Sequence, residues 1–166
     1  MDQSIETRLT LLENHCFGNS TSSKRSPTSL VYVGMAADIL HHGHVNIINT
    51  ASKYGRVVVG LLTDEAIESY KRKPKVTWEK RRLLVEAIQG VHLVVPQTTL
   101  DYRPNMRLLR PAFVVHGDDW KTGVQKKIRE DVITTLKKWK GKLIEPKYTS
   151  RISSSLVKKK VLNKWS

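Results

Sequence analysis

The chain has 166 residues and a formal net charge of +14, with 29 Lys and Arg against 15 Asp and Glu. This length fits about one domain, and no apolar run approaches the roughly 20 residues that span a bilayer. The one cysteine, Cys16, excludes an internal disulfide and a cysteine-rich zinc site. We expect a cytoplasmic single-domain protein with an anionic partner: a nucleotide, a nucleic acid or a membrane surface.

The first 29 residues differ in composition from the rest of the chain. Residues 19–29 are rich in serine and threonine and contain no large apolar side chain, which is typical of a flexible linker. Before them, Ile5, Leu9 and Leu12 have the spacing of a short amphipathic helix. We predict a flexible extension over 1–29 and a folded domain over 30–166.

From Leu30 onward, short apolar runs alternate with helical periods. The apolar runs predict five strands, at 30–33, 57–62, 91–95, 112–115 and 143–144. Strands that alternate with helices indicate an α/β protein with a Rossmann-like, doubly wound parallel sheet of about five strands. In such sheets ligands bind at the carboxyl ends of the strands, near a topological switch point.

The helical periods between these runs predict which side chains face the sheet. Helices are predicted at 44–54, from a cap at Thr77 to Gly90, at 122–139, and from a cap at Ser153. The residues predicted to form their apolar faces are Val45, Ile48, Ala51, Leu84, Val85, Ile88, Val124, Ile128, Val132, Leu136, Trp139, Val157 and Val161.

The junction after the first predicted strand carries the strongest chemical signal. His41, His42 and His44 lie together at the start of a helix, where unpaired N–H groups and the helix dipole attract phosphate. Gly43 lets a ligand approach the backbone closely. Incidental loop histidines and a metal site are the alternatives, but no cysteine or regularly spaced carboxylate completes a metal site. We predict that His41 and His44 point at one phosphate.

Three sequence blocks resemble a known family. Residues 38–44, Asp-Ile-Leu-His-His-Gly-His, resemble the D-x-x-H-x-G-H signature of the cytidylyltransferase branch of the HxGH nucleotidyltransferases. Residues 116–119 are similar to its H-G-D-D segment, and residues 148–155 to its late T-x-G-I-S-[ST]-[ST] signature. The blocks stand in the family's order, and the resemblance covers about residues 30–160. It implies a CTP-dependent enzyme.

Further blocks are similar to the nucleotidyltransferase of phosphonate biosynthesis, which makes CMP-2-aminoethylphosphonate. These blocks lie at 31–38, 60–64, 69–72, 95–97 and 100–102. The implied reaction is attack of a phosphonate or phosphate oxygen on the α-phosphorus of CTP, with release of pyrophosphate. Such a transfer depends on positioning and charge stabilisation more than on a covalent nucleophile.

The resemblance also implies roles for single residues. The catalytic residues would be His41, His44 and Lys71, and Asp38 would help to hold Mg²⁺. The nucleotide would be bound by Gly34, Met35, Ala36, Gly43, His44, His116, Gly117, Asp118, Ile152, Ser153 and Ser154. The acceptor would be contacted by Tyr102, Asp119 and Tyr148. Bland alternatives exist for most of these: a solvated basic run for Lys71, a turn for Gly117–Asp119, and an N-cap for Ser153.

Two arginines and one departure from the family pattern complete the set of candidates. Arg81 and Arg82 lie on a predicted helix, where arginines are often only surface residues. Arg151 stands where the family usually has glycine, and we predict that it is tolerated with its side chain in solvent. An inactive regulatory relative is the alternative that this departure leaves open.

The predicted partners follow from the same resemblance. We predict CTP and a small phosphonate or phosphomonoester, a homodimer as is common among relatives, and no nucleic-acid or membrane partner. The nearest enzymatic alternative is a cytidylyltransferase for phosphoethanolamine, phosphocholine or glycerol 3-phosphate. The alternative of another class is a basic nucleic-acid-binding module, whose binding would weaken steeply with salt.

Overall fold

The structure is a computed structural model that describes residues 29–147, Thr149, Leu156 and Val157, except for the side chain of Val124. Its strands are β1 (Leu30–Met35), β2 (Arg56–Leu62), β3 (Val91–Gln97), β4 (Phe113–Val115) and β5 (Lys142–Ile144). They form one parallel sheet in the order β3-β2-β1-β4-β5. The predicted α/β, Rossmann-like fold is confirmed, because every predicted strand lies within two residues of its observed bounds.

Five helices connect these strands. They are α1 (His42–Ala51), α2 (Asp64–Glu68), α3 (Trp78–Glu86), α4 (Arg103–Leu109) and α5 (Lys126–Lys137). The helix predicted from Thr122 begins only at Lys126, because Gly123–Gln125 form a 3₁₀ turn in which Gly123 has a φ of +70°. The short helix α4 was not predicted from the sequence, although Pro104 stands in its first turn.

Each face of the sheet carries its own pair of longer connecting helices. The first core joins α1 and α3 to the sheet and includes Val31, Val57, Ile48, Ala51 and Val85. The second core joins α4 and α5 to the other face and includes Tyr32, Val58, Met106, Val132 and Leu136. Neighbouring strand residues such as Val31 and Tyr32 enter opposite cores, as the two-residue period of a strand requires. The sheet is therefore doubly wound.

The face of α3 that meets the sheet differs from the prediction. Leu84 was expected in the core, but it is 51% exposed, whereas Arg81 and Val85 are fully buried. These two residues lie four apart and so share one helical face, from which Leu84 is turned away. Thr77 is the N-cap, as predicted, but its side chain makes no capping hydrogen bond.

Arg81, a weak site candidate with a surface role as its alternative, is fully buried at the carboxyl edge of the sheet. Its guanidinium donates to the carbonyl oxygens of Ala36 at 2.6 Å, Leu62 at 2.8 Å and Val76 at 2.9 Å. It also pairs with the carboxylate of Asp64 at 2.6 Å. Ala36 follows β1, Leu62 ends β2, Asp64 opens α2 and Val76 precedes α3. One side chain therefore connects four segments beside the site.

Several predictions concern residues outside the described ranges. These are the extension over 1–28, the helix capped by Ser153, and the placement of Arg151 and Val161. Leu156 and Val157 are helical. Within the described part of the chain, no helix is long and apolar enough to cross a membrane.

Candidate active site

The loops that follow β1 and β4 enclose a cavity. From β1 the chain proceeds to β2 and β3 on one side, and β4 and β5 lie on the other. The loops after β1 and β4 therefore diverge and leave a crevice at the switch point. A cavity of about 240 Å³ opens there, lined by Met35 and Ala36 after β1 and by His116 and Gly117 after β4.

The turn from β1 into α1 adopts a strained backbone conformation. Ala37 has a φ of +47° and is 3% exposed. A residue with a Cβ pays roughly 1 kcal/mol for this left-handed conformation, and such strain concentrates at functional sites. The turn leads the chain to His41, the N-cap of α1.

Gly34 is needed because an aromatic ring lies against the backbone at the end of β1. A Cβ at Gly34 would collide with the ring of Tyr102. The hydroxyl of Tyr102 donates to the carbonyl oxygen of Gly34 at 3.4 Å, and both residues line the cavity. Gly34 therefore admits Tyr102 to the wall of the site.

His44 is held as a neutral hydrogen-bond donor. Its ring lies against that of His41, with centroids 4.0 Å apart and planes inclined by 34°. The backbone N–H of His41 donates to Nδ1 of His44 at 3.2 Å, so that the proton of the neutral ring lies on Nε2. Burial lowers the pKa of His44 to about 4. At neutral pH the ring is uncharged and has an Nε2–H group to offer to a ligand in the cavity that it lines.

His41 is the N-cap of α1 and also lines the cavity. Burial, with a smaller contribution from His42, lowers the pKa of His41. Its Nδ1 is buried and has no hydrogen-bond partner among the described residues, an arrangement that costs about 1–3 kcal/mol. The first turn of α1 offers N–H groups that have no partner within the helix. These N–H groups suit a phosphate oxygen.

The loop after β4 supplies an aromatic wall. His116 stacks on Trp120, with centroids 3.9 Å apart and planes inclined by 11°. The indole N–H of Trp120 donates to Glu145 at 2.8 Å, and Arg129 donates to the same carboxylate at 2.7 Å and 2.8 Å. Burial lowers the pKa of His116. Asp119, 44% exposed, lies 3.7 Å from this histidine at the rim.

The Glu145 carboxylate makes the wall sensitive to acid. The hydrogen bonds from Arg129 and, to a smaller extent, Trp120 hold the pKa of Glu145 at about 2. Since this value lies below that of the unfolded chain, the carboxylate stabilises the fold at pH values above about 4.5, and the stabilisation is lost as the pH falls towards 2.

We expect Glu145→Gln to lower the free energy of unfolding by about 2 kcal/mol at pH 7. The free energy of unfolding of the variant should then fall less on acidification than that of the wild type. Urea unfolding at several pH values between 7 and about 2.5 measures both effects. Equal acid sensitivity in variant and wild type would contradict the assignment.

The structure brings most of the predicted site residues to this cavity. The predicted residues that line it are Gly34, Met35, Ala36, His41, Gly43, His44, Lys71, Tyr102, His116, Gly117 and Asp119. Asp118 is not among the described lining residues, and its N–H donates to the carbonyl oxygen of Pro146 at 3.2 Å. Four predicted residues lie outside the described ranges: Tyr148, Ile152, Ser153 and Ser154.

Thr149 belongs to the late sequence block, residues 148–155, and lies at the cavity. Its hydroxyl accepts a hydrogen bond from Asn46 of α1 at 3.2 Å. This contact places the start of the late block beside the helix that carries the two histidines.

Asp38 holds a loop in the structure. Its Oδ1 accepts hydrogen bonds from the backbone N–H groups of Lys75 at 2.6 Å and Val76 at 3.4 Å. It is not among the described residues that line the cavity, and within the described ranges no group of three or more His, Cys, Asp or Glu side chains suits a metal ion. These contacts do not fit a Mg²⁺ ligand.

The loop-holding role of Asp38 predicts a contrast between two variants. Asp38→Asn keeps an acceptor oxygen, and we expect it to lose less than about 0.5 kcal/mol of unfolding free energy. Asp38→Ala leaves two N–H groups without that acceptor and should lose about 1.5 kcal/mol. Urea unfolding compares the two variants, and equal losses would mean that the charge of Asp38 matters rather than its position.

Sequence reasoning missed the polar residue at the end of β3. Gln97 is 3% exposed and lines the cavity. Its side chain accepts a hydrogen bond from the Tyr32 hydroxyl at 2.7 Å and donates to the carbonyl oxygen of Thr99 at 3.0 Å. The available signal was the family resemblance of residues 95–97, which contain this glutamine at the end of the strand. Tyr70 and Leu100 also line the cavity and lie in the similar blocks 69–72 and 100–102, but no role was predicted for them.

Comparison with known proteins places this site in a family. Residues 32–160 match the family model described as cytidylyltransferase-like. The ethanolamine-phosphate cytidylyltransferase of Dictyostelium discoideum is 33% identical over 141 residues, which cover 82% of this chain and 37% of that protein. The FAD synthase of Methanopyrus kandleri is 33% identical over 93 residues, which cover 54% of this chain and 62% of that protein. The aligned segments thus span less than two thirds of either relative.

A solved structure agrees with the fold. The lipopolysaccharide core biosynthesis protein from Thermoplasma volcanium superposes with a TM-score of 0.62 at 20% identity, covering 73% of this chain and 98% of that chain. At this identity the likeness shows the fold alone. The family match extends over most of the chain and contains both cavity loops, so the chain belongs to the cytidylyltransferase-like family.

Proposed function

We propose that this protein is a nucleotidyltransferase that transfers CMP from CTP to a small phosphonate or phosphomonoester and releases pyrophosphate. The observation that carries the proposal is the pair of adjacent rings His41 and His44 at the N-terminus of α1, with one proton on Nε2 of His44. Family membership supports a nucleotide as the ligand of this cavity.

In the proposed reaction an oxygen of the acceptor attacks the α-phosphorus of CTP. A new P–O bond forms, the bond between the α-phosphorus and its bridging oxygen to the β-phosphorus breaks, and the electron pair leaves with pyrophosphate. Negative charge grows on the oxygens that are transferred. This charge would be stabilised by His44 Nε2–H, by the N–H groups in the first turn of α1 and by the ammonium of Lys71. Their interactions with the oxygens strengthen as the charge develops.

The wall after β4 supports an acceptor that carries an amine. Asp119 presents a half-exposed carboxylate at the rim of the cavity, 3.7 Å from His116, and Tyr102 and Trp120 line the same cavity. A carboxylate at the rim attracts an ammonium ion. We therefore propose 2-aminoethylphosphonate as the acceptor. Phosphoethanolamine is the second candidate, because it carries the same aminoethyl group and a relative is named for ethanolamine phosphate.

Pyrophosphate release from a panel of substrates tests both parts of the proposal. CTP and ATP would each be combined with 2-aminoethylphosphonate, phosphoethanolamine, phosphocholine and glycerol 3-phosphate. We expect kcat/KM with CTP to exceed that with ATP by at least about a hundredfold, equivalent to roughly 2.7 kcal/mol. We also expect both amines to exceed glycerol 3-phosphate by about tenfold or more.

One variant and one substrate comparison separate the acceptor assignment from the nucleotide assignment. Asp119→Asn should raise KM for the amine acceptor while leaving KM for CTP within about twofold, because only the acceptor carries a cation. Preference for glycerol 3-phosphate, unchanged by Asp119→Asn, would contradict the acceptor assignment. Preference for ATP with every acceptor would contradict the nucleotide assignment.

A further inference from the structure

The edge of the sheet opposite the candidate site carries a group of exposed cations. The strands begin at this edge and the helices α1, α4 and α5 end there. We call the group the basic pole and define it by seven residues with exposed side chains: Lys53, Arg107, Arg110, Lys137, Lys138, Lys140 and Lys142. The chain has no Asp or Glu in 105–112 or 132–142.

Contacts between α4 and α5 bring most of the basic pole together. Near the start of α4, Arg103 lies 4.0 Å from Asp131, in the middle of α5. Beyond the ends of both helices, the indole of Trp139 donates to the carbonyl oxygen of Pro111 at 2.8 Å. The helices therefore run side by side in one direction, and their last turns, with Arg107 and Lys137, are neighbours.

The first residues of two strands connect the remaining members. Lys142 opens β5 and stands in register with Phe113, which opens β4. The ring of Tyr54 packs on Phe113 with centroids 5.2 Å apart, and Lys53 precedes Tyr54 in the chain. The basic pole thus continues across the edge of the sheet from α5 to the end of α1.

The charge of the basic pole is only slightly compensated by neighbours: Arg103 and, to a smaller extent, Arg107 lower the pKa of the Asp101 carboxyl. Within the described ranges, no salt bridge joins any of the seven residues to an acidic side chain. A cation in the last turn of a helix is favoured by the helix dipole, which explains Lys137. It does not explain Lys142, at the start of a strand.

We propose that the basic pole is a peripheral docking surface for an anionic lipid membrane. Two apolar side chains are exposed among its cations, Leu108 at 54% and Tyr54 at 36%. Cations that surround exposed Leu and Tyr side chains are typical of surfaces that lie on anionic lipid headgroups. Peripheral docking needs no membrane-spanning helix, and it replaces the sequence-based expectation that a membrane is not a partner.

Exposed apolar side chains favour a membrane over a nucleic acid. Leu108 is 54% exposed and Tyr54 is 36% exposed beside the cations. Such side chains gain by entering the headgroup and acyl boundary of a bilayer, whereas the contacts of a phosphodiester backbone are mostly polar. Docking at this edge also leaves the cavity, at the opposite edge, open to water-soluble substrates.

Vesicle sedimentation with the full chain tests the proposal. The probes are vesicles of phosphatidylcholine with about 30% phosphatidylglycerol and vesicles of phosphatidylcholine alone, each in 0.1 M and 0.5 M NaCl. Each basic residue near an anionic surface contributes about fivefold to partitioning. The triple variant Arg107→Gln/Lys137→Gln/Lys142→Gln should therefore bind the anionic vesicles about a hundredfold more weakly.

Matched variants distinguish this surface from general positive charge. The control Lys80→Gln/Lys126→Gln/Lys127→Gln removes three exposed charges elsewhere and should change binding by less than about threefold. Leu108→Ser should weaken anionic-vesicle binding while keeping its salt dependence. Three results would overturn the proposal: equal losses in both triple variants, no binding to anionic vesicles, or preferential binding of a 30-base-pair DNA that Leu108→Ser leaves unchanged.

Discussion

Replacing His44 with alanine is expected to lower kcat for CMP transfer by two to three orders of magnitude while leaving the fold intact. The ring supplies a neutral Nε2–H donor, because its Nδ1 accepts the backbone N–H of His41 at 3.2 Å. Loss of one such donor to the charge of a transition state costs about 3–4 kcal/mol. Steady-state kinetics with CTP measures the loss, and circular dichroism checks the fold.

His42 provides the matched control for this prediction. It lies in the same segment as His44, but its side chain is exposed and it is not among the described residues that line the cavity. His42→Ala should keep kcat within about threefold of the wild type. Full activity in a folded His44→Ala protein, or equal losses in the two variants, would remove His44 from the proposed machinery.

Replacing Arg81 with methionine is expected to destabilise the protein by about 3–5 kcal/mol. The variant keeps an unbranched apolar stem but removes the donors for the carbonyl oxygens of Ala36, Leu62 and Val76. It also leaves Asp64 without its cation. Since domains are stable by only about 5–15 kcal/mol, the change should be visible as a large shift of the urea midpoint.

Arg82 is the control for this measurement because it adjoins Arg81 on α3. Its side chain is 33% exposed and pairs with Glu86 at 3.7 Å, four residues further along the helix. Such a pair contributes about 0–1 kcal/mol, so Arg82→Met should lose no more than that. A loss below about 1 kcal/mol in Arg81→Met would contradict the role of Arg81 as a tie between the loops of the site.

The sheet was predictable from the sequence because its strands are buried on both faces. A strand such as β2 is a continuous apolar run in the sequence, and such a run can be recognised without knowing which strands pair with it. The cavity at the ends of β1 and β4 followed from the alternation of strands and helices. His41 and His44 could be placed there because Gly43 and the start of α1 adjoin the run of β1.

Other features depend on contacts between residues far apart in the chain. Apolar side chains occur on more than one side of α3, and the spacing alone did not show that Leu84 faces water. Arg81 is buried because carbonyl oxygens from three separate segments converge on it, and no local pattern reports this convergence. The tautomer of His44 likewise depends on one hydrogen bond in the folded turn.

The fate of an isotopic label tests the central claim most directly. The protein would be incubated with unlabelled CTP and one acceptor, either 2-aminoethylphosphonate or phosphoethanolamine. The phosphoryl oxygens of the acceptor carry ¹⁸O, and mass spectrometry measures the label in each product. Attack of the acceptor on the α-phosphorus predicts a CMP–acceptor conjugate that retains all of the label and pyrophosphate that carries none. Labelled pyrophosphate, or the absence of a CMP conjugate with either acceptor, would contradict the proposed function.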